Sequence, residues 1–194
     1  MTNRLLTLGI LLSSALISGC APLVIGGVAA TTASVAHDRR TAGSIVEDDA
    51  IKLRVSNALY DAKPLNENSH INVTTFNGIV LLSGETPTED FRNQADEIAR
   101  AQEKVRRVYN ELQIAAPSSM MTRSSDSWIT TKVKASLVGL DIKGFDPSRV
   151  KVTTENGTVF LMGLVYHKEA DAAVDAARKV GGVQRVVKLF EYLD

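Results

Sequence analysis

One cysteine, Cys20, stands in the whole 194-residue chain, so no intramolecular disulfide can form and zinc sites built from several thiolates are excluded. Histidine is nearly as scarce. His37, His70 and His167 lie far apart and outside any HExxH spacing, which removes a histidine-rich metal site. An excess of one charge is missing too: 22 Lys plus Arg face 22 Asp plus Glu, which argues against nucleic-acid binding by bulk charge. The chain lacks the several apolar runs of about 20 residues that a multipass membrane protein needs, and its 44% hydrophobic content is that of a folded body. Neither a GxSxG elbow nor a GxxxxGK(S/T) phosphate loop occurs. The acidic clusters Glu47-Asp48-Asp49 and Glu89-Asp90 read as helix-start carboxylates that favour the positive end of the dipole, not as a catalytic pair. The expectation is a protein that is not an enzyme and holds no metal or diffusible cofactor.

What is present begins at the N-terminus. Residues 1–19 carry Arg4, an apolar stretch from Leu5 to Ile17 and the small pair Ser18-Gly19, the form of a signal peptide. The stretch is short for a membrane span and ends on Ile17-Ser18-Gly19-Cys20, which resembles the bacterial lipobox. Small residues let a peptidase reach the backbone, and the thiol is the nucleophile that takes a diacylglycerol. Cys20 is thus the expected lipidation site, bearing S-diacylglycerol and an N-acyl chain such as palmitate. Each buried methylene contributes about 0.8 kcal/mol, so three chains hold firmly where one holds marginally. By resemblance to enterobacterial sorting, Ala21 in place of Asp after the cysteine implies the outer membrane, facing the periplasm, over retention in the inner one. Residues 20–44, small, apolar and closed by His37-Asp38-Arg39-Arg40, read as an acylated N-terminus and flexible tether. Arg39 and Arg40 are placed either against phosphate head groups or in a solvated charge run.

The most informative feature is an internal repeat. Ile71-Asn-Val-Thr-Thr-Phe-Asn-Gly-Ile-Val-Leu-Leu-Ser-Gly84 overlays Val150-Lys-Val-Thr-Thr-Glu-Asn-Gly-Thr-Val-Phe-Leu-Met-Gly163 with eight of fourteen positions identical. Each copy reads in the same order. Asp49 to Tyr60 places Ile51, Val55 and Leu59 on one helical stripe, and Ser127 to Leu140 does so with Ile129, Val133, Leu137 and Leu140. Period-two strands then flank Asn77-Gly78 and Asn156-Gly157, the dipeptide favoured where both turn residues need positive φ. Gly84 and Gly163 read as strand ends. Thr86-Pro87-Thr88-Glu89 starts a second helix, Ala170, Ala173, Val174 and Ala177 form its counterpart, and Val105 to Ile114 and Val183 to Leu193 are the last strands.

A strand-helix-strand crossover lets the last strand run parallel to its neighbour, with both helices on one face. The predicted fold is α+β: two tandem αββαβ domains, each a three-stranded mixed sheet with two helices on one face. The expected boundaries are 45–114 and 126–194, joined by a linker at 115–125. Units of about 70 residues are stabilised only marginally by their own cores, so contacts between copies or with a partner would help.

A lipobox followed by two αββαβ units with Asn-Gly hairpins resembles the dual BON-domain outer-membrane lipoprotein family. Asp126-Ser-Trp-Ile-Thr-Thr-Lys-Val-Lys134, Val150 to Gly157 and Val159-Phe-Leu-Met-Gly-Leu-Val165 carry the likeness, with Asp38-Arg-Arg-Thr-Ala-Gly43 before Asp48-Asp49. The resemblance implies a non-enzymatic protein that binds anionic phospholipid, phosphatidylglycerol or cardiolipin, through its second BON domain and supports envelope integrity, including at division sites. Some relatives carry a haemolysin label, for which no pore-forming segment is available here.

Charge separates the copies. Residues 45–116 hold 8 basic and 12 acidic residues, residues 117–194 hold 11 and 9, so the second copy is the candidate for an anionic surface. On its opening helix Trp128 lies about 100° from the core stripe, on the side of Lys132. An indole beside lysines is an interfacial pattern. The expected phospholipid contacts are Trp128, Ile129, Lys132 and Lys134, with Val133 and Leu137 at the edge; Trp128 packed inward and plain solvated lysines are the competing readings. The competing function is a periplasmic adaptor whose exposed sheet faces or linker recruit outer-membrane assembly or division proteins.

Overall fold

Thr41 and Ser119 each turn a side-chain oxygen onto the amide three residues on, and each thereby starts a long helix in the computed structural model, which describes residues 38–194. Cys20, the signal-peptide segment and the tether before residue 38 lie outside the described residues. The first unit comprises α1 (Ala42–Asp61), a short α2 (Lys63–Asn68), β1 (His70–Phe76), β2 (Ile79–Thr86), α3 (Glu89–Arg100) and β3 (Arg107–Ile114). The second comprises α4 (Met120–Val138), one 3-10 turn (Pro147–Arg149), β4 (Val150–Glu155), β5 (Thr158–Val165), α5 (His167–Arg178) and β6 (Arg185–Tyr192). Each sheet has the order first-second-third, antiparallel across the hairpin and parallel across the crossover. The fold is the α+β pair of three-stranded mixed sheets expected from the repeat.

The opening helices are longer than their apolar stripes suggested. α1 starts seven residues before Asp49, so Glu47, Asp48 and Asp49 lie in its second turn and not at its start. α4 starts at Met120, so residues 120–125 of the expected linker are helical. Glu89 and Asp90 do occupy the first turn of α3, behind the Thr88 cap. Gly84 and Gly163 are not strand ends either, because β2 and β5 run two residues further. At Gly84 (φ +119°) a Cβ would stand 2.0 Å from the His70 carbonyl oxygen, so the close approach of β1 demands glycine.

Each unit has its own core. Ile51, Val55 and Leu59 of α1 and Ala95 and Ala99 of α3 cover Val73, Val80, Leu82 and Val108; Ile129, Val133, Leu137, Ala170, Ala173 and Ala177 cover the second sheet in the same way. The alanines let α3 and α5 sit close to the strands beneath them.

A buried aspartate ties each opening helix to its hairpin. Asn77 and Gly78 adopt φ of 50° and 73°, and Asn156 and Gly157 47° and 70°, which aims both turn amides inward. Asp48 accepts from Asn77 N (2.6 Å) and Gly78 N (2.7 Å); Asp126 accepts from Asn156 N and Gly157 N, both at 2.9 Å. Charge-assisted bonds to two otherwise orphaned amides are among the stronger polar contacts a small domain can make.

The sheet faces away from the helices cover one another. Phe76, Ile79 and Leu81 of the first unit pack with Phe160, Met162 and Leu189 of the second, flanked by Tyr109, Leu164 and Val187. Thr74 Oγ1 and Thr153 Oγ1, equivalent residues of the two copies, meet at 3.2 Å. Contact between like positions is the mark of a two-fold axis, here inside one chain. The seam ends in polar pairs: Asn72 donates to Glu155 (2.9 Å), Asn77 to Glu191 (2.6 Å), Asn156 to Glu85, and Lys151 Nζ to the Thr75 carbonyl (3.0 Å). The sheet faces are therefore not open for recruiting a partner.

Asp126→Ala strands two turn amides, and the expected loss is about 2–4 kcal/mol of unfolding free energy, read from the urea midpoint. Asp126→Asn, which keeps one acceptor and loses the charge, should fall between.

Candidate functional site

The outer face of α4 is built by the burial of the other face. Ile129, Val133 and Leu137 repeat every fourth residue and are 5%, 0% and 1% exposed, so these three, expected among the lipid contacts, face the core and not the outer side of the helix. Asp126, the one acidic residue of the helix, is turned inward onto its hairpin. What remains outside is hydroxyl-bearing, apolar and basic: Ser124, Ser125, Ser127 and Thr131 are exposed beside the apolar residues and lysine. Trp128 is 64% exposed, aligned at seven-residue spacing with Met121 (83%) and Ala135, and flanked by Met120 and Val138. Lys134 is exposed; Lys132 is half-buried and donates to the Gly181 carbonyl at 2.5 Å. Arg123 is half-buried, its Nε and Nη2 both on the Ser118 carbonyl.

Met120 and Met121 escaped the sequence reading because they follow a Pro-Ser-Ser stretch of linker composition. Ser119 as an N-cap was the available signal, but no Glu or Gln three residues later marked it as a capping box.

The opening helix of the first unit has the same inner stripe and a different outer one. Val46, Leu53 and Tyr60 stand exposed at seven-residue spacing, and Ala50 takes the position of Trp128. Glu47, beside that stripe, accepts from Lys104 and Arg54, and its hydrogen bonds from these two cations hold its carboxyl below the usual range. The two helices are alike in what they bury and unlike in what they show.

Arg39 and Arg40 are neither solvated nor free for head groups. Arg39 grips Glu169 of α5 through two bonds of 2.6 and 2.8 Å, donates to the Leu164 carbonyl, and lies over the Tyr166 ring. Arg40 pairs with Asp48 at 2.5 Å and stacks on Phe76. Consecutive arginines thus fasten one to each unit, and residues 39–44, expected in the tether, belong to the folded body. Burial opposes the Glu169 carboxylate, but the Arg39 guanidinium, the Tyr166 amide and the charges of Arg39 and Arg149 outweigh it and hold its carboxyl below the usual range. Hydrogen bonding to Glu169 raises Arg39 in turn.

Among the described residues no three His, Cys, Asp or Glu side chains come together as a metal site, and no helix is long and apolar enough to cross a membrane. His167 stacks on Tyr192 and pairs with Asp194, an exposed contact that ties the C-terminal strand to the start of α5.

Both units match the BON domain family, over residues 47–116 and 125–194. The chain is 41% identical over 189 residues to "Outer membrane lipoprotein DolP" of Haemophilus influenzae, covering 96% of both chains. It is 40% identical to a "21 kDa hemolysin" of Actinobacillus pleuropneumoniae (80% of this chain, 79% of that one) and 33% identical to "Osmotically-inducible protein Y" of Escherichia coli (74% and 72%).

The Arg39 clamp has a pH signature. With its folded pKa below the unfolded value, Glu169 contributes stability that is complete above the ordinary glutamate range, about pH 4.3, and is lost as pH falls through the lowered value. Arg39→Ala should cost about 2 kcal/mol near neutrality, and the gap between the wild-type and variant urea midpoints should close at pH 3 and below.

Proposed function

The chain belongs to the BON-domain family, and from that premise we propose that it is a non-enzymatic lipoprotein of the outer membrane, held by acyl chains on Cys20 and facing the periplasm. Its second unit binds anionic phospholipid through the outer face of α4, and the product is envelope integrity, including at sites of division. The likeness to the DolP lipoprotein over nearly the full length supports the location.

One observation carries the lipid reading: Trp128 stands out on a helix whose exposed side shows methionines, a valine, hydroxyls and lysine and no outward carboxylate. Trp128 is 64% exposed, and burying that share of an aromatic side chain's 150–250 Å² at about 25 cal/mol per Å² contributes on the order of 2–4 kcal/mol. Each lysine near an anionic surface contributes about 1 kcal/mol more. These sums are small beside the acyl anchor at about 0.8 kcal/mol per methylene. The α4 face therefore sets orientation and lipid choice, and the anchor sets residence. Trp128, Lys134 and Lys132 carry the contact, joined by Met120, Met121 and Val138, while Ile129, Val133 and Leu137 shape the helix from beneath.

A second reading, the periplasmic adaptor for assembly or division proteins, now rests on α1 and no longer on the sheets. The exposed Val46, Leu53 and Tyr60 stripe on the acidic unit is the observation in its favour.

Liposome co-sedimentation of the unacylated body from Arg39 onward separates the two. Vesicles containing phosphatidylglycerol or cardiolipin should retain it, phosphatidylethanolamine alone should not, and salt should weaken the binding. Trp128→Glu should reduce retention by tenfold or more while Leu53→Glu leaves it unchanged. Indifference to Trp128→Glu, or to vesicle charge, would move the function to the adaptor reading.

A further inference from the structure

β1 and β4 are edge strands, and the seam lays them side by side. Where they meet, between α1 and α4, lies an open cleft of about 450 Å³ whose lining comes from both units. It is distinct from the outer face of α4: Arg123 borders the cleft and Trp128 does not.

Three cations converge on it. Lys52 of α1 has no hydrogen-bond or ion-pair partner among the described residues. Lys151 of β4 spends one donor on the Thr75 carbonyl and keeps two. Arg123 of α4 uses Nε and Nη2 on the Ser118 carbonyl, and neither bond engages Nη1. The opposing carboxylates are weakly placed to neutralise them. Both oxygens of Asp126 are taken up by the hairpin amides. Glu155 accepts from Asn72 and stands 3.9 Å from His70 Nε2, and burial pushes its carboxyl above the usual range, against the pull of Asn72 and His70. Burial also lowers the Lys151 ammonium, and the like charges of Lys52 and Arg40 lower it further against the pull of Asp48 and Asp49.

We propose that this cleft binds a phosphoryl group, held across the seam by Lys52, Lys151 and Arg123. Two ammonium groups and one planar guanidinium match the spread oxygens of a tetrahedral oxyanion, and no group must be broken out of an existing ion pair to receive it. The site exists only because the two units pack together, since each supplies at least one cation. It goes beyond the lipid-surface reading and does not rest on it. The phosphoryl group comes either from a free phosphate ester or from a lipid head group, and the test distinguishes these.

The test follows NMR shifts of the full chain in maltoside detergent, with inorganic phosphate added in one arm and glycerophosphoglycerol, the deacylated phosphatidylglycerol head group, in the other. Saturable shifts at Lys52, Asn72, Arg123 and Lys151 are expected. Lys52→Gln and Arg123→Gln should each weaken the affinity about tenfold. Glu155→Gln, which still accepts from Asn72 but removes the facing charge, should tighten it several-fold, a gain that misfolding cannot mimic. Equal response to both probes supports a free phosphate ester, and response to glycerophosphoglycerol alone supports a lipid source. No saturable shift with either probe, or affinities indifferent to all three variants, overturns the proposal. Shifts confined to the Trp128 face overturn it as well and leave the lipid-surface reading standing.

Discussion

The burial of one sheet face on the other is the constraint from which the rest follows. A three-stranded sheet with helices on one side keeps a second face, and in each unit that face carries large apolar side chains, Leu81 in the first and Phe160 and Met162 in the second. Left in water, those faces would cost several kcal/mol that cores of this size do not supply. Packing them together solves the problem for both at once, around an axis that passes near Thr74 and Thr153. It also decides what the molecule can show to its surroundings: helices, strand edges and hairpin tips.

Duplication then leaves room for divergence. Because the inner stripes of α1 and α4 are committed to equivalent cores, only the outward positions are free to differ, and they do. One helix presents Val46, Leu53 and Tyr60 in an acidic unit; the other presents Met121, Trp128 and Val138 beside lysine. Even the aspartates that clamp the hairpins have diverged in company, since Asp48 also receives Arg40 while Asp126 borders the cleft.

The repeat, the hairpins, the inner helical stripes and the exposed tryptophan were legible in the chain because each is written in local spacing. Positive φ at Asn-Gly and apolar residues every fourth position need no distant partner to be recognised. The missed features depend on such partners. Asp48 looked like a helix-start acid, and Asp126 had no role assigned, until the hairpins, 29 to 31 residues on, were brought against them. Arg39 looked like a head-group ligand or a solvated charge until Glu169, 130 residues away, claimed it. Ile129, Val133 and Leu137 were counted twice, as core and as lipid contact, and burial admits only the first. The helical extension to Met120 was hidden by composition, which describes a segment's average and not its cap.

The paired arginines at the entrance to the body have a mechanical consequence. Because Arg39 is fastened to α5 and Arg40 to α1, a force applied to the chain where it enters the folded body is divided between the modules at once.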